Sequence, residues 1–359
     1  MPDRNLSLQP RRTSKRAFSL IELLVVIIII ALVIGILLPA LRGARQTSRA
    51  ASTQALLKDL ATASQAFRLS NRRDPGYFSP IEMGSPQNIT RGLSGMQNVL
   101  LDLSGGITSA TGAAVLTDIG PTTATTINVD LSLIGSIKNS STGPGGYFTP
   151  DKRNFAAQTS PGARESTIQG HIDLPELVDA FGQPMLAWTA DERRSERFVA
   201  VNSDNAARFY WAQNATILRS TNLGKEATSQ TYRNMGTNER GSLIGADGNS
   251  GPSSTAVTAN GKSGTLAALL GNPAFPVLEG TLNVPSQARG SMTFQSAGRD
   301  GTFLSTFDNG ARRWAVGAGG GSGTNPNGVQ FAPVQTTTSG AIRVDAISDF
   351  DDIVVPAAN

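Results

Sequence analysis

The chain has 359 residues with no cysteine, so disulfides and cysteine-based metal sites are excluded and redox compartment cannot be read from it. The formal net charge of +4 is misleading. Residues 1–17 carry Arg4, Arg11, Arg12, Lys15 and Arg16 against Asp3, which accounts for the whole excess, so the high pI is no argument for a nucleic-acid partner.

Behind that basic leader lies an apolar run. From Leu23 to Leu38 there is no polar side chain, and between Phe18 and Leu41 only Ser19 and Glu22 are polar. Read as helix, this stretch is about 36 Å long, enough to cross a hydrocarbon core of ~30 Å. A secretory signal peptide is a poor description, because its apolar region is short and ends at a small-residue cleavage site. A plain signal anchor leaves Glu22 unexplained. A carboxylate inside an apolar run is expensive and needs a partner.

The segment Lys15-Arg16-Ala17, then Phe18-Ser19-Leu20-Ile21-Glu22-Leu23-Leu24-Val25-Val26, resembles the N-terminal signal of type IV pilins and type II secretion pseudopilins. The resemblance implies cleavage between Ala17 and Phe18 by a prepilin peptidase on the cytoplasmic side and N-methylation of Phe18. It also implies pairing of Glu22 with the new amine on a neighbouring subunit, which sets filament register. Gly is usual before the cut, where this chain has Ala17. Gly35 and Pro39 stand where the family has a Gly and a Pro bracketing a segment that can unwind in the filament. Read without the resemblance, they mark an ordinary kink.

Apolar or small residues then recur at Ala44, Ser48, Ala51, Ala55, Leu56, Leu60, Ala63 and Phe67 in steps of three and four, which predicts that the helix continues as an amphipathic one. Arg42, Arg45, Arg49, Lys58 and Arg68 fall largely elsewhere on the wheel. Asn71-Arg72-Arg73-Asp74-Pro75-Gly76 is the stop. The positive charge that follows the apolar run makes the positive-inside rule a weak guide to orientation, whereas the resemblance places the leader in the cytoplasm.

Residues 74–170 are rich in Gly, Ser, Thr and Asn. The runs Thr122–Thr126 and Ser140–Gly146 read as strand or loop. Asp179-Ala180-Phe181-Gly182-Gln183-Pro184 is a turn leading into the apolar stretch Met185–Trp188. It resembles the corresponding turn and strand of G-type major pseudopilins, with Phe181 where Trp is usual. Arg197–Val201, Ala207–Ala212, Ser291–Gln295 and Asp352–Val355 are further strand candidates. Residues 220–265 read as a long polar excursion, and Val316–Asn327 is Gly-rich and low in complexity.

Ser296-Ala297-Gly298-Arg299-Asp300-Gly301 and Asp349-Phe350-Asp351-Asp352 resemble two segments that meet around calcium in those pseudopilins. The resemblance implies a calcium site drawn from Asp300, Asp349, Asp351 and Asp352, with Asp300 and Asp351 preferred. By residue type alone the segments are solvated acidic turns, although carboxylates beside a Gly turn suit a hard cation. Ala256-Val257-Thr258-Ala259-Asn260-Gly261-Lys262-Ser263 falls short of a phosphate-binding loop, since Ala256 replaces the first Gly and no buried strand precedes it. His171 is the only histidine, and no Gly-x-Ser-x-Gly elbow accompanies it.

The expectation is an α+β chain. A basic leader (1–17) is cleaved, and a transmembrane or filament-core helix (18–41) continues as an amphipathic helix (42–73). An extracytoplasmic part (74–359) has an antiparallel sheet packed on that helix and large loop or β insertions. The expected role is a non-enzymatic filament subunit, first in the inner membrane and then in the periplasm or at the cell surface. Its partners would be copies of itself, prepilin peptidase, the inner-membrane assembly machinery and membrane lipid, with no nucleic acid. A membrane-anchored binding module or adhesin, and an anchored hydrolase, are the alternatives.

Overall fold

A computed structural model describes residues 20–91, 93–104, 114–117, 120–121, 126–129, 146–149, 151–156, 174–190, 209–218, 242–244, 262–279, 282–314 and 328–357. The strand expected at Arg197–Val201, the low-complexity stretch, the histidine and nearly all of the polar excursion lie outside them. The chain divides into two compact units, one ending at Ser48 and one beginning at Arg49.

The first helix, α1, runs from Leu20 to Asn71 with Pro39 inside it. In the first unit its apolar side chains are exposed, from Val33 at 44% to Leu20 at 81%. This is a helix long and apolar enough to cross a bilayer. In the second unit α1 buries Thr53, Leu57, Leu60, Ala61, Ala63, Ser64 and Phe67. That face differs from the predicted one. Leu60, Ala63 and Phe67 are buried as expected, but Ala51 and Ala55 are exposed. Leu57 defines the stripe instead, because a buried Leu contributes several times what an Ala does. The helix ends at the expected place. Arg72 takes φ 56° and its amide returns to Arg68 O at 2.8 Å, a left-handed C-terminal cap.

Three short helices follow: α2 (Pro80–Met83), α3 (Pro86–Arg91) and α4 (Gly95–Leu103). The last is set by a capping box, in which Ser94 Oγ accepts from Gln97 N and the Gln97 side chain accepts from Ser94 N. Gly95 is required there, since a Cβ would lie 2.1 Å from Ala187 O.

Eleven strands are described: β1 (Ala114–Thr117), β2 (Thr126–Val129), β3 (Phe155–Ala156), β4 (Glu176–Leu177), β5 (Leu186–Thr189), β6 (Pro276–Glu279), β7 (Leu282–Pro285), β8 (Met292–Ser296), β9 (Val334–Thr337), β10 (Gly340–Arg343) and β11 (Ile353–Ala357). The central sheet is antiparallel in the order β11-β8-β5, with Leu186 opposite Gln295 and Val355 opposite Phe294. The other strands form two-stranded pairs. The fold is therefore α+β, with the C-terminal half of α1 against an antiparallel sheet and long insertions between.

Both faces of the sheet are covered. Ala187, Met292, Phe294 and Ala357 join Leu57, Leu60 and Phe67 of α1 and Met96, Val99 and Leu100 of α4 in one core. Leu186 and Trp188, which alternate with Ala187 along β5, enter a second core with Trp211, Leu269, Phe303 and Phe331. Strand alternation sends neighbouring residues to opposite layers. The second core draws on insertions of the kind expected from composition. It also corrects one element: Phe209–Ala212 is helical, not a strand. All four residues are buried. A short run that is apolar throughout has no period to distinguish the two states, and here burial on every side allows a helical turn. Asn214 anchors it, donating to Ala187 O and accepting from Gly95 N.

Candidate functional site

Two regions carry candidate function. At the N-terminus, Ala17 and Phe18 lie outside the described residues. Glu22 sits in the first turn of α1 on an exposed surface, where a carboxylate is also favoured by the helix dipole. Helix α1 is continuous through Gly35 and Pro39, and a Cβ on Gly35 would meet nothing within 4 Å.

The second region is an acidic turn. Gly298 takes φ 67° and Gly301 φ 74°, so the chain after β8 turns through conformations that favour Gly. A Cβ on Gly298 would lie 2.2 Å from Asp351 O, which holds the turn tightly against the segment leading into β11. The amides of Arg299 and Asp300 both donate to Asp351 Oδ2 at 3.1 Å. Thr302 N donates to Asp300 Oδ1 at 2.8 Å. Asp308 comes in from the loop before the helix Asn309–Trp314. Carboxylate oxygens of Asp300, Asp308 and Asp351 all lie within 4.8 Å of one another.

Asp308 Oδ2 and Asp351 Oδ1 are buried and receive no donor hydrogen. The electrostatics follow from that crowding. Burial, and then the charges of Asp351 and Asp300, push the Asp308 carboxyl up to about 7. Burial also raises that of Asp351, against the lowering effect of the two turn amides. Carboxylates this close either share a proton or hold a cation. The donor set is all oxygen, which suits a hard divalent ion, and buried oxygens lacking donors are the positions such an ion would satisfy.

The other expected ligands go elsewhere. Asp349 Oδ2 accepts from Arg313 at 3.2 Å and from Trp314 Nε1. Asp352, adjacent to Asp351, is half-buried and turned the opposite way. It accepts from Gln295 Nε2 at 2.7 Å and Leu304 N at 2.8 Å, and Gln295 Oε1 in turn accepts from Trp188 Nε1 at 3.0 Å. Burial raises the Asp352 carboxyl well above its ordinary range. Sequence reasoning missed Asp308, whose one available signal was a carboxylate shortly after the Gly turn.

The turn before β5 is organised by Asp179. Its Oδ1 accepts from Phe181 N and Gln183 N, and its Oδ2 from Ser296 Oγ at 2.6 Å. Gly182 takes φ 89°. Ala180 N donates to Thr53 Oγ1 of α1 at 3.1 Å. The turn before β5 and the turn after β8 are therefore joined through Asp179 and Ser296.

Residues 12–38 match the family described as the prokaryotic N-terminal methylation motif. Searches of curated proteins and of solved structures return no match. The chain thus carries a pilin-type processing and methylation motif on a helix able to anchor it in a membrane, followed by an α+β part.

Proposed function

We propose that this chain is a structural subunit of a type IV pilus or type II secretion pseudopilus. The carrying observation is the methylation motif at residues 12–38 leading into a helix whose apolar side chains are exposed over Leu20–Leu41. An exposed apolar surface of that extent needs lipid or other helices around it. The subunit is held in the inner membrane, with its leader cytoplasmic and its bulk outside. Prepilin peptidase removes residues 1–17 and methylates Phe18. On assembly the helices exchange lipid for one another, and Glu22 pairs with the Phe18 amine of a neighbour. That pairing fixes axial register, since an unpaired carboxylate inside an apolar bundle is costly. The reading assigns no catalytic step to the chain.

Calcium belongs to the same proposal. Asp300, Asp308 and Asp351 would hold it, and the ion would replace mutual repulsion by shared coordination and fix the turn after β8 against β11. The cluster geometry and the two oxygens without donors support this. The test of function is the N-terminal residue of the native protein together with its recovery in filaments. A chain that starts at N-methyl-Phe18 and co-purifies with sheared filaments supports the proposal. An uncut chain confined to membranes supports an anchored binding module.

A further inference from the structure

Five arginines in the described outer part are matched with acids: Arg68 with Asp74, Arg73 with Asp102, Arg153 with Asp151, Arg289 with Asp345 and Arg313 with Asp349. Arg42 and Arg45 are exposed and make no ion pair among the described residues, as is also true of Arg49, Arg72, Arg312 and Arg343. What sets Arg42 and Arg45 apart is that they follow directly on the apolar run. No acidic residue occurs in the chain between Glu22 and Asp59, so their charge has no local compensation.

Their position along α1 specifies a partner. The apolar run ends at Leu41. At a rise of ~1.5 Å per residue, Arg42 lies about 1.5 Å and Arg45 about 6 Å beyond that boundary. The headgroup layer of a bilayer is roughly 5–7 Å thick on each side. Both guanidinium stems thus start at the depth of lipid phosphates, and the spacing of three places them on neighbouring parts of the helix surface. Leu38 and Leu41, each 51% exposed, continue the lipid-facing surface directly beneath. The guanidinium fork suits phosphate oxygens, and its alkyl stem can lie along the acyl boundary.

We propose that Arg42 and Arg45 form a phosphate-gripping pair that selects anionic phospholipid headgroups where α1 leaves the bilayer. The pair holds the subunit at the membrane before assembly. The inference rests on membrane anchoring by α1, and it adds a lipid preference that anchoring alone does not require.

The test uses the full chain in neutral detergent, titrated with phosphatidylglycerol or phosphatidylcholine of the same acyl composition and read by native mass spectrometry. Two arginines at about 1 kcal/mol each predict that phosphatidylglycerol is retained about thirtyfold more tightly. The preference shrinks in high salt, falls to within about threefold in R42Q/R45Q and survives in part in R42K/R45K. Equal retention of the two lipids by the natural chain, or an unchanged preference in R42Q/R45Q, overturns the proposal. Displacement of the lipid by millimolar inorganic phosphate also overturns it, by reassigning the pair to free anions. If R42Q/R45Q keeps the preference but loses self-association in light scattering, the pair contacts a second copy instead. Carbonate-resistant insertion into phosphatidylcholine vesicles is measured in parallel. Failure there removes the anchoring reading itself, whereas insertion without lipid preference removes only this proposal.

Discussion

Asp308 and Asp351 meet across the turn that follows β8, each with a buried carboxylate oxygen that no donor reaches. Their proximity is unfavourable while both are ionised and the space between them holds neither a proton nor a cation. Calcium is therefore expected to raise the melting temperature of the outer part at neutral pH. Asp308→Asn is expected to abolish that gain and to raise the melting temperature in chelator. Calorimetry with and without calcium checks both. An identical melt in calcium and chelator would remove the site.

The same pair sets a pH dependence. The Asp308 carboxyl is raised to about 7 in the folded chain. A raised carboxyl binds its proton more tightly when folded than when unfolded, so its contribution is fully present below the ordinary carboxylate range and is lost as pH rises through 7. In chelator, stability is expected to fall between about pH 4 and pH 7 more steeply than it does in Asp308→Asn. Urea titrations at several pH values read this directly, and parallel curves for the two proteins would contradict it.

Gly298 is expected to tolerate no side chain. Its φ of 67° and the 2.2 Å approach of Asp351 O to a Cβ both oppose Ala. Gly298→Ala is expected to destabilise by more than ~1 kcal/mol, as Ala does where φ is positive, and to impair calcium binding. Equilibrium unfolding in chelator separates the two effects, and wild-type stability there would show that the turn can relax.

Thr53 links α1 to the Asp179 turn through its hydroxyl. Thr53→Val keeps the shape and removes the acceptor, leaving the Ala180 amide without it. The expected loss is about 1–2 kcal/mol, with processing of the N-terminus unchanged. A variant as stable as the natural chain would show that water replaces the hydroxyl.

Glu22→Ala is expected to be cut normally but to enter filaments poorly. Quantifying the variant in sheared-filament and membrane fractions tests the register role. Normal filament yield would end it.

Much of this arrangement was legible in the residues. The extent of α1 and its stop at Asn71 follow from unbroken apolarity and from the Asp74-Pro75-Gly76 turn. Strands β5, β8 and β11 were legible because apolar runs there adjoin turns rich in Gly or Asp. The buried stripe of α1 was less so, because Ala51 and Ala55 suit either face of a helix and adjacent Leu56 and Leu57 leave the phase ambiguous. Phe209–Ala212 was misread because uniform burial erases periodicity. Asp308 joins the acidic turn through tertiary packing, which no spacing in the chain encodes. Asp352 shows the converse. Its neighbour Asp351 faces the cluster, whereas Asp352, just ahead of β11, accepts from Gln295.

The central claim is tested most directly by mass spectrometry of the N-terminal peptide from the native, membrane-extracted protein. The account predicts a peptide that begins at Phe18 and carries one methyl group on its amine. A peptide that retains Ala17 and the basic leader would contradict it.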